Sequence, residues 1–198
     1  MSGFFASIGH NLRGLFRFSG RDARSQFWPY AILLIFLDMV AMMGMIMPAV
    51  MDSLARMQRF AAVHPELTTV ESGPGHYSIS IEGYHPELMP DMGRLGSGFA
   101  LIVLATVLLL AAAVTRRLHD RDRRGWWGAL PVPFLAFGVI AMPRVMTGFQ
   151  ARPMPDMRLF FALFLNNMIY FGALVLVVVL LAGPGTGGPN RFDDPGGS

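Results

Sequence analysis

The sequence predicts an all-α membrane protein. Four transmembrane helices follow an N-terminal interfacial amphipathic helix, and the outer loop between the first two spans carries a β-hairpin. Three observations carry this prediction. Hydrophobic residues make up 53% of the 198 residues and charged residues only 15%, against roughly 25% charged in ordinary globular chains. Mean hydropathy is +0.46. Four apolar stretches, 28–50, 97–114, 126–142 and 159–182, come close to or exceed the roughly 20 residues needed to cross a hydrocarbon core. The whole of 1–198 then reads as one four-helix membrane domain, with a periplasmic loop at 51–96 and a flexible cytoplasmic tail at 183–198.

Composition also excludes several chemistries. The chain has no cysteine, so disulfides, thiolate catalysis and Cys-based metal centres are ruled out. All 16 basic residues are Arg, which removes a Schiff-base lysine and a P-loop lysine. The pI near 9.9 does not point to nucleic acid, because the Arg residues sit beside hydrophobic segments and no soluble basic domain is left over.

Along the chain, Phe5, Ile8, Leu12, Leu15 and Phe16 recur at helical steps, as do Arg13, Arg17, Arg21 and Arg24. This reads as a helix lying in the cytoplasmic interface, with a break near Ser19-Gly20; the alternative is a basic juxtamembrane segment without fixed structure. The first span begins at Trp28 and Tyr30, where an aromatic belt is expected. A cleaved signal peptide fits poorly, since no small-x-small site follows the long apolar run. In the polar interval, 67–72 and 76–82 flank Gly73-Pro74-Gly75, which predicts the hairpin. The second span runs into Arg116-Arg-Leu-His-Asp120. The third is the shortest and contains Pro131 and Pro133, so it reads as a full crossing or a re-entrant segment. The fourth ends at Gly183-Pro-Gly-Thr-Gly-Gly-Pro189, a helix stop and linker.

Orientation follows from Arg density. Arg13, Arg17, Arg21 and Arg24 precede span one, Arg116, Arg117, Arg121, Arg123 and Arg124 join spans two and three, and Arg191 is in the tail. Arg56, Arg59, Arg94, Arg144, Arg152 and Arg158 fall on the other side, with most of the acidic residues. The denser clusters belong inside, which places both termini in the cytoplasm.

Three segments together resemble a known bacterial family. They are Ser19-Gly-Arg-Asp-Ala-Arg-Ser-Gln-Phe-Trp28, Arg116-Arg-Leu-His-Asp-Arg-Asp-Arg-Arg-Gly-Trp-Trp127 and Gly185-Thr-Gly-Gly-Pro-Asn-Arg-Phe192. Their order and position are similar to the inner-membrane family called domain of unknown function 805. The resemblance covers nearly the whole chain apart from the long outer loop. It implies a small four-helix membrane protein and supplies no catalytic residues. Arg124 stands where a small polar residue is usual, and the 51–96 interval is longer than typical.

The cytoplasmic cluster is the strongest candidate site. Arg116 and Asp120 are one helical turn apart and can pair, while Arg117, Arg121 and Arg124 line another face. Arg21, Arg24, Arg116, Arg117 and Arg121 could bind phosphate in bidentate fashion, most naturally an anionic lipid headgroup. The alternative is a topology signal with structural ion pairs. Trp28, Trp126 and Trp127 would anchor depth, and His119 reads as structural, with a proton shuttle beside Asp120 as the alternative.

Within the membrane, Asp38 needs a partner, since an ionisable group there costs about 2.5–3.5 kcal/mol. Asn166 and Asn167 interrupt the fourth span, so an Asp38–Asn hydrogen bond could hold the bundle together or mark a polar path. The repeated His-Pro-Glu-Leu at 64–67 and 85–88 matches no standard metal spacing. The glycines at 183, 185 and 188 match a dinucleotide fingerprint literally but lack its strand–turn–helix context. No catalytic motif, metal site or cofactor is legible. The expected function is non-enzymatic: an inner-membrane protein that binds membrane lipids, a second copy or a membrane-protein partner. The alternative is a small transporter or channel subunit using Asp38 and Asn166/Asn167.

Overall fold

The computed structural model describes residues 2–151 and 157–193. Arg152, counted above for the outer side, and the tail beyond residue 193 lie outside the described residues. Five helices and one hairpin follow in the order α1 (Ser2–Arg13), α2 (Arg24–Val63), β1 (Thr68–Gly73), β2 (His76–Ile81), α3 (Met92–His119), α4 (Val132–Ala151) and α5 (Met157–Ala182).

Four helical stretches have the length and apolarity to cross a membrane: Arg24–Val63, Met92–His119, Gly125–Met146 and Met157–Ala182. Each forms because backbone polar groups in hydrocarbon can be satisfied only within a helix. Their large apolar side chains point outward, including Ile32, Ile35, Phe36, Leu101, Leu104, Phe164 and Val175. That is the surface a lipid phase requires.

The bundle is tied at one end. Phe27, Tyr30, Ala31 and Leu34 lie at helical steps on α2 and are buried against Ala113 and Leu118 of α3 and Val177 and Leu181 of α5. Tyr30 donates its hydroxyl to the Leu109 carbonyl at 3.1 Å. A smaller cluster, Ala141, Val145 and Leu163, joins α4 to α5 further along.

The third span is continuous. A 3-10 turn at Gly125–Ala129 leads into α4. Pro131 and Pro133 do not interrupt the helix; they flank its first residue, where a missing N–H costs nothing. Gly128 allows that turn to press on Val114 of α3.

α2 is longer than its apolar stretch predicts. Its 40 residues reach about 60 Å at 1.5 Å per residue, twice a hydrocarbon core of about 30 Å. The loop expected at 51–96 is therefore partly helix: α2 runs on to Val63 as a stem, and α3 starts at Met92. The stem carries the expected hairpin, paired antiparallel from Thr68↔Ile81 to Gly73↔His76. Pro74-Gly75 turns it, with Gly75 at φ +77°, the type II pattern that requires glycine at the third position.

The His-Pro-Glu-Leu repeat becomes two matching 3-10 turns, Pro65–Leu67 and Pro86–Leu88. In each, the His ring meets the Glu carboxylate two residues on, at 3.2 Å for His64–Glu66 and 2.9 Å for His85–Glu87. Both Glu carboxyls are held below the usual range, first by their own backbone N–H and then by the His. Phe60 lies 4.6 Å from both imidazoles, centroid to centroid. Ser53 and Arg56 of the stem bond the Leu88 and Met89 carbonyls. The repeat thus ties the loop to the stem. Among the described residues no group of three or more His, Cys, Asp or Glu gathers as a metal site.

Candidate functional site

The polar residues at the tied end form a network that joins three distant parts of the chain. Its first hub is Arg116, only 3% exposed. Nε donates to Asp22 Oδ2 at 2.8 Å and Nη2 to Asn11 Oδ1 at 2.8 Å. Nη1 donates to the Gly14 and Arg17 carbonyls, both at 2.6 Å. His10 closes the other side of Asp22, with Nε2 2.8 Å from Oδ1. Ser7 and Asn11, one turn apart on α1, both donate to the Gln26 carbonyl. The face of α1 that docks on the protein is therefore polar, while Phe5 and Leu12 point outward. The helix ends at Arg13, earlier than the expected break at Ser19-Gly20, and Gly14 follows where a Cβ would meet the Arg116 guanidinium at 3.1 Å.

The second hub is Arg117, fully buried. It donates to the Leu181 carbonyl at 3.0 Å, to the Gly183 carbonyl at 2.6 Å and to Asp120. Neighbouring residues on a helix point about 100° apart, so Arg116 reaches the N-terminal segment while Arg117 reaches the end of α5, with one longer bond back to the Asp22 carbonyl at 3.4 Å. The expected Arg116–Asp120 pair is corrected on this point: Arg116 pairs with Asp22, and Asp120 pairs with Arg117 and Arg21.

Arg21 links the hubs to the tail. Its inner edge meets Asp120 Oδ1, from Nε at 3.3 Å and from Nη2 at 3.2 Å. Its outer edge donates to Asp193 Oδ1 at 2.8 Å, the Gly188 carbonyl at 3.1 Å and both oxygens of Thr186 at 3.0 Å. The Asp193 carboxylate, opposed by burial and aided by Asp120, holds the Arg21 guanidinium more firmly charged. Arg21, and then the Asn190 backbone N–H, hold Asp193 below the usual aspartate range. Arg24 donates to the Gly183 carbonyl at 3.1 Å, and Arg121 to the Val179 carbonyl at 3.1 Å and to that of Leu180.

His119 lies between the N-terminal segment and the tail. Nδ1 is 3.3 Å from the Gly20 carbonyl, and the ring stacks on Phe192 at 3.9 Å. Asp120 is engaged elsewhere. Arg191 pairs with Asp122 at 2.9 Å, and Asn190 donates to the His119 carbonyl at 2.9 Å. Trp126 and Trp127 stack at 4.4 Å, with Trp126 exposed, and Trp28 packs edge-on to Phe27.

The five Arg residues of the expected anion site do meet at this end, but Arg116 and Arg117 point inward and spend their donors on the protein. At this end the free guanidinium groups are others. Those of Arg13, Arg123 and Arg124 are exposed and have no partner among the described residues.

Inside the membrane, the expected Asp38–Asn bond is not formed. Asp38 Oδ1 accepts from Thr106 Oγ1 of α3 at 2.7 Å. Asn166 donates to the Phe134 carbonyl of α4 at 2.9 Å, and Asn167 is exposed. The reason is helix phase: Asn166 faces α4 and not α2. Sequence reasoning passed over Asp22, Asn11, Thr106, Thr186, Asn190 and Asp193. Asp22 had a signal, as the lone acid among four Arg residues before span one.

Four apolar crossings closed at one end by a polar network define a multi-pass membrane protein. A family model described as Protein of unknown function (DUF805) matches residues 15–194, and the chain belongs to that family. All three motif segments lie inside the match, and Arg116 and Arg21 bind them together. No curated protein matches the chain, and no solved structure does.

Proposed function

We propose that this is a non-enzymatic protein of the bacterial inner membrane, with both termini cytoplasmic, whose Arg- and aromatic-rich end holds anionic lipid headgroups. One observation carries the reading. Arg13, Arg123 and Arg124 present unpartnered guanidinium groups at the same end as Phe16, 93% exposed, and Trp126, 56% exposed. Guanidinium groups bind phosphate oxygens, and aromatic rings settle at headgroup depth. α1 supports the reading, since its outward face is apolar and its docked face polar, as an in-plane helix requires. Arg116 and Arg117 are structural in this account and do not touch lipid. Asp38 and Asn166 bond to different helices, which favours lipid binding over a transport path.

The test is lipid retention through purification. Wild type is expected to retain phosphatidylglycerol over phosphatidylcholine. Replacing Arg13, Arg123 and Arg124 by Gln removes about 1 kcal/mol of attraction per residue and should abolish that enrichment. Unchanged enrichment in the triple variant overturns the proposal. A protein that leaves with those charges while lipid retention stays constant would point to a protein partner or a second copy instead.

A further inference from the structure

The tail from 183 to 193 follows the chain surface closely. Gly183 and Gly185 sit so near Arg121 and the Asp120 carboxylate that neither has room for a Cβ. Thr186 N–H donates to the Asp120 carbonyl at 2.8 Å, and Phe192 covers His119. Yet no residue of this stretch is buried. The tail is held by polar contacts that water reaches, and exposed contacts of this kind are individually weak.

Arg21 stands apart within this set. Asp120 grips its inner edge and fixes the plane of the guanidinium, leaving the outer edge presented as a fork. One prong of that fork, Nη1, holds a carboxylate oxygen of the chain itself, Asp193 Oδ1, with the Gly188 carbonyl, and the other, Nη2, holds the carbonyl and hydroxyl of Thr186. The Thr186 carbonyl in this fork lies four residues past Ala182, where α5 ends its apolar run, which is headgroup depth for a chain that has just crossed the membrane. A phosphate oxygen pair fits the same fork as a carboxylate, with more charge.

We infer that the outer edge of Arg21 is a phosphate-binding site that the chain's own tail occupies, with Asp193 standing in for the phosphate, and that an anionic headgroup displaces residues 186–193. This rests on the lipid-binding reading above and adds its regulation: the tail competes with lipid for Arg21. Displacement also bares Asp120 and His119, so lipid occupancy changes what the cytoplasmic end presents.

The chain lacks cysteine, which makes a single reporter clean. Gly187 has nothing within 4 Å of a built Cβ, so Gly187→Cys carries a spin label without disturbing the dock. The full-length protein is reconstituted in nanodiscs of phosphatidylcholine alone or mixed with phosphatidylglycerol. A third sample holds inorganic phosphate over phosphatidylcholine nanodiscs. The label is expected to be mostly immobile in neutral lipid and to mobilise with phosphatidylglycerol. Asp193→Asn should raise the mobile fraction about threefold in neutral lipid, as loss of one exposed ion pair predicts, and Arg21→Gln should remove the dependence on lipid. Mobilisation by inorganic phosphate to the same extent supports the site with a soluble anion as its ligand. A label equally immobile in all three samples, while phosphatidylglycerol still co-purifies, overturns the tail's role and leaves the lipid reading intact. If phosphatidylglycerol does not co-purify either, both fall.

Discussion

Removing Arg116 would leave the Asp22 carboxylate, 0% exposed, with His10 as its remaining side-chain partner. Breaking one side of a buried pair costs about 3–5 kcal/mol. Arg116→Ala is therefore expected to lower thermal stability in detergent sharply. Arg116→Lys should rescue little, because an ammonium cannot reach the four acceptors that the planar fork spans. A Lys variant as stable as wild type would contradict this. Thr106→Val should cost less, about 0.6 kcal/mol as for typical hydrogen bonds within membranes. Asp38→Asn should be milder still, since the Thr106 hydroxyl can donate to an amide oxygen. Unfolding titrations of both variants would show the order.

Asp193 also makes a pH prediction at this scale. Its carboxyl lies below the ordinary aspartate range while docked, because Arg21 favours the charged form. A depressed value means that the docking contribution is complete above the ordinary range and disappears as the pH falls through the depressed one. The groups facing Asp193 are Arg21 on the N-terminal segment, with Asp120 behind it on the α3 side. The Gly187→Cys label should stay immobile through neutral pH and loosen only in acid, and Asp193→Asn should flatten that profile. A tail that loosens near neutrality would implicate a different group.

At the scale of elements, what could be read in the sequence follows from what each element must satisfy. The four spans were legible because hydrocarbon demands a helix of a certain length with an apolar surface. The hairpin was legible because only a few residues make its turn, and Gly73-Pro74-Gly75 is such a set. The stem was not. Residues 51–63 mix Asp52, Arg56 and Arg59 with apolar residues, and outside a membrane such a stretch is helical only because the loop packs back on it through Ser53 and Phe60. The pairing of polar groups was equally hidden, because it depends on helix phase and neighbours. Asp38 and Asn166 both interrupt apolar runs, yet one faces α3 and the other α4. Arg116 and Arg117 are neighbours in sequence, yet Arg116 binds the N-terminal segment and Arg117 chiefly the end of α5. The contact of the third span with α3 is testable at this scale. Gly128→Leu should push the 3-10 turn off Val114 and destabilise the bundle by about 1–3 kcal/mol, as overpacking does. A thermal midpoint equal to wild type would contradict the packing.

For the whole molecule, the decisive quantity is which end faces the cytoplasm. Helix polarity places α1, the turn after α3 and the tail at one end of the bundle, since Arg116 and Arg117 bind all of them. The hairpin, the end of α4 and the start of α5 lie at the other. The first end carries Arg13, Arg17, Arg21, Arg24, Arg116, Arg117, Arg121, Arg123, Arg124 and Arg191; the second, among the described residues, carries Arg56, Arg59, Arg94, Arg144 and Arg158. Insertion retains Arg-rich short segments on the cytoplasmic side, so the hairpin should be periplasmic. Two single-cysteine variants decide it. Glu71→Cys sits on the exposed strand β1, and Gly187→Cys sits in the tail. A membrane-impermeant maleimide applied to intact cells should label the first and spare the second until the membrane is opened. The reverse pattern would invert the protein and put its free Arg residues outside, away from the anionic leaflet that the lipid reading needs. Labelling of both in intact cells would mean an odd number of crossings, with the third segment re-entrant, and would separate the tail from the network that Arg21 and Arg117 make with it.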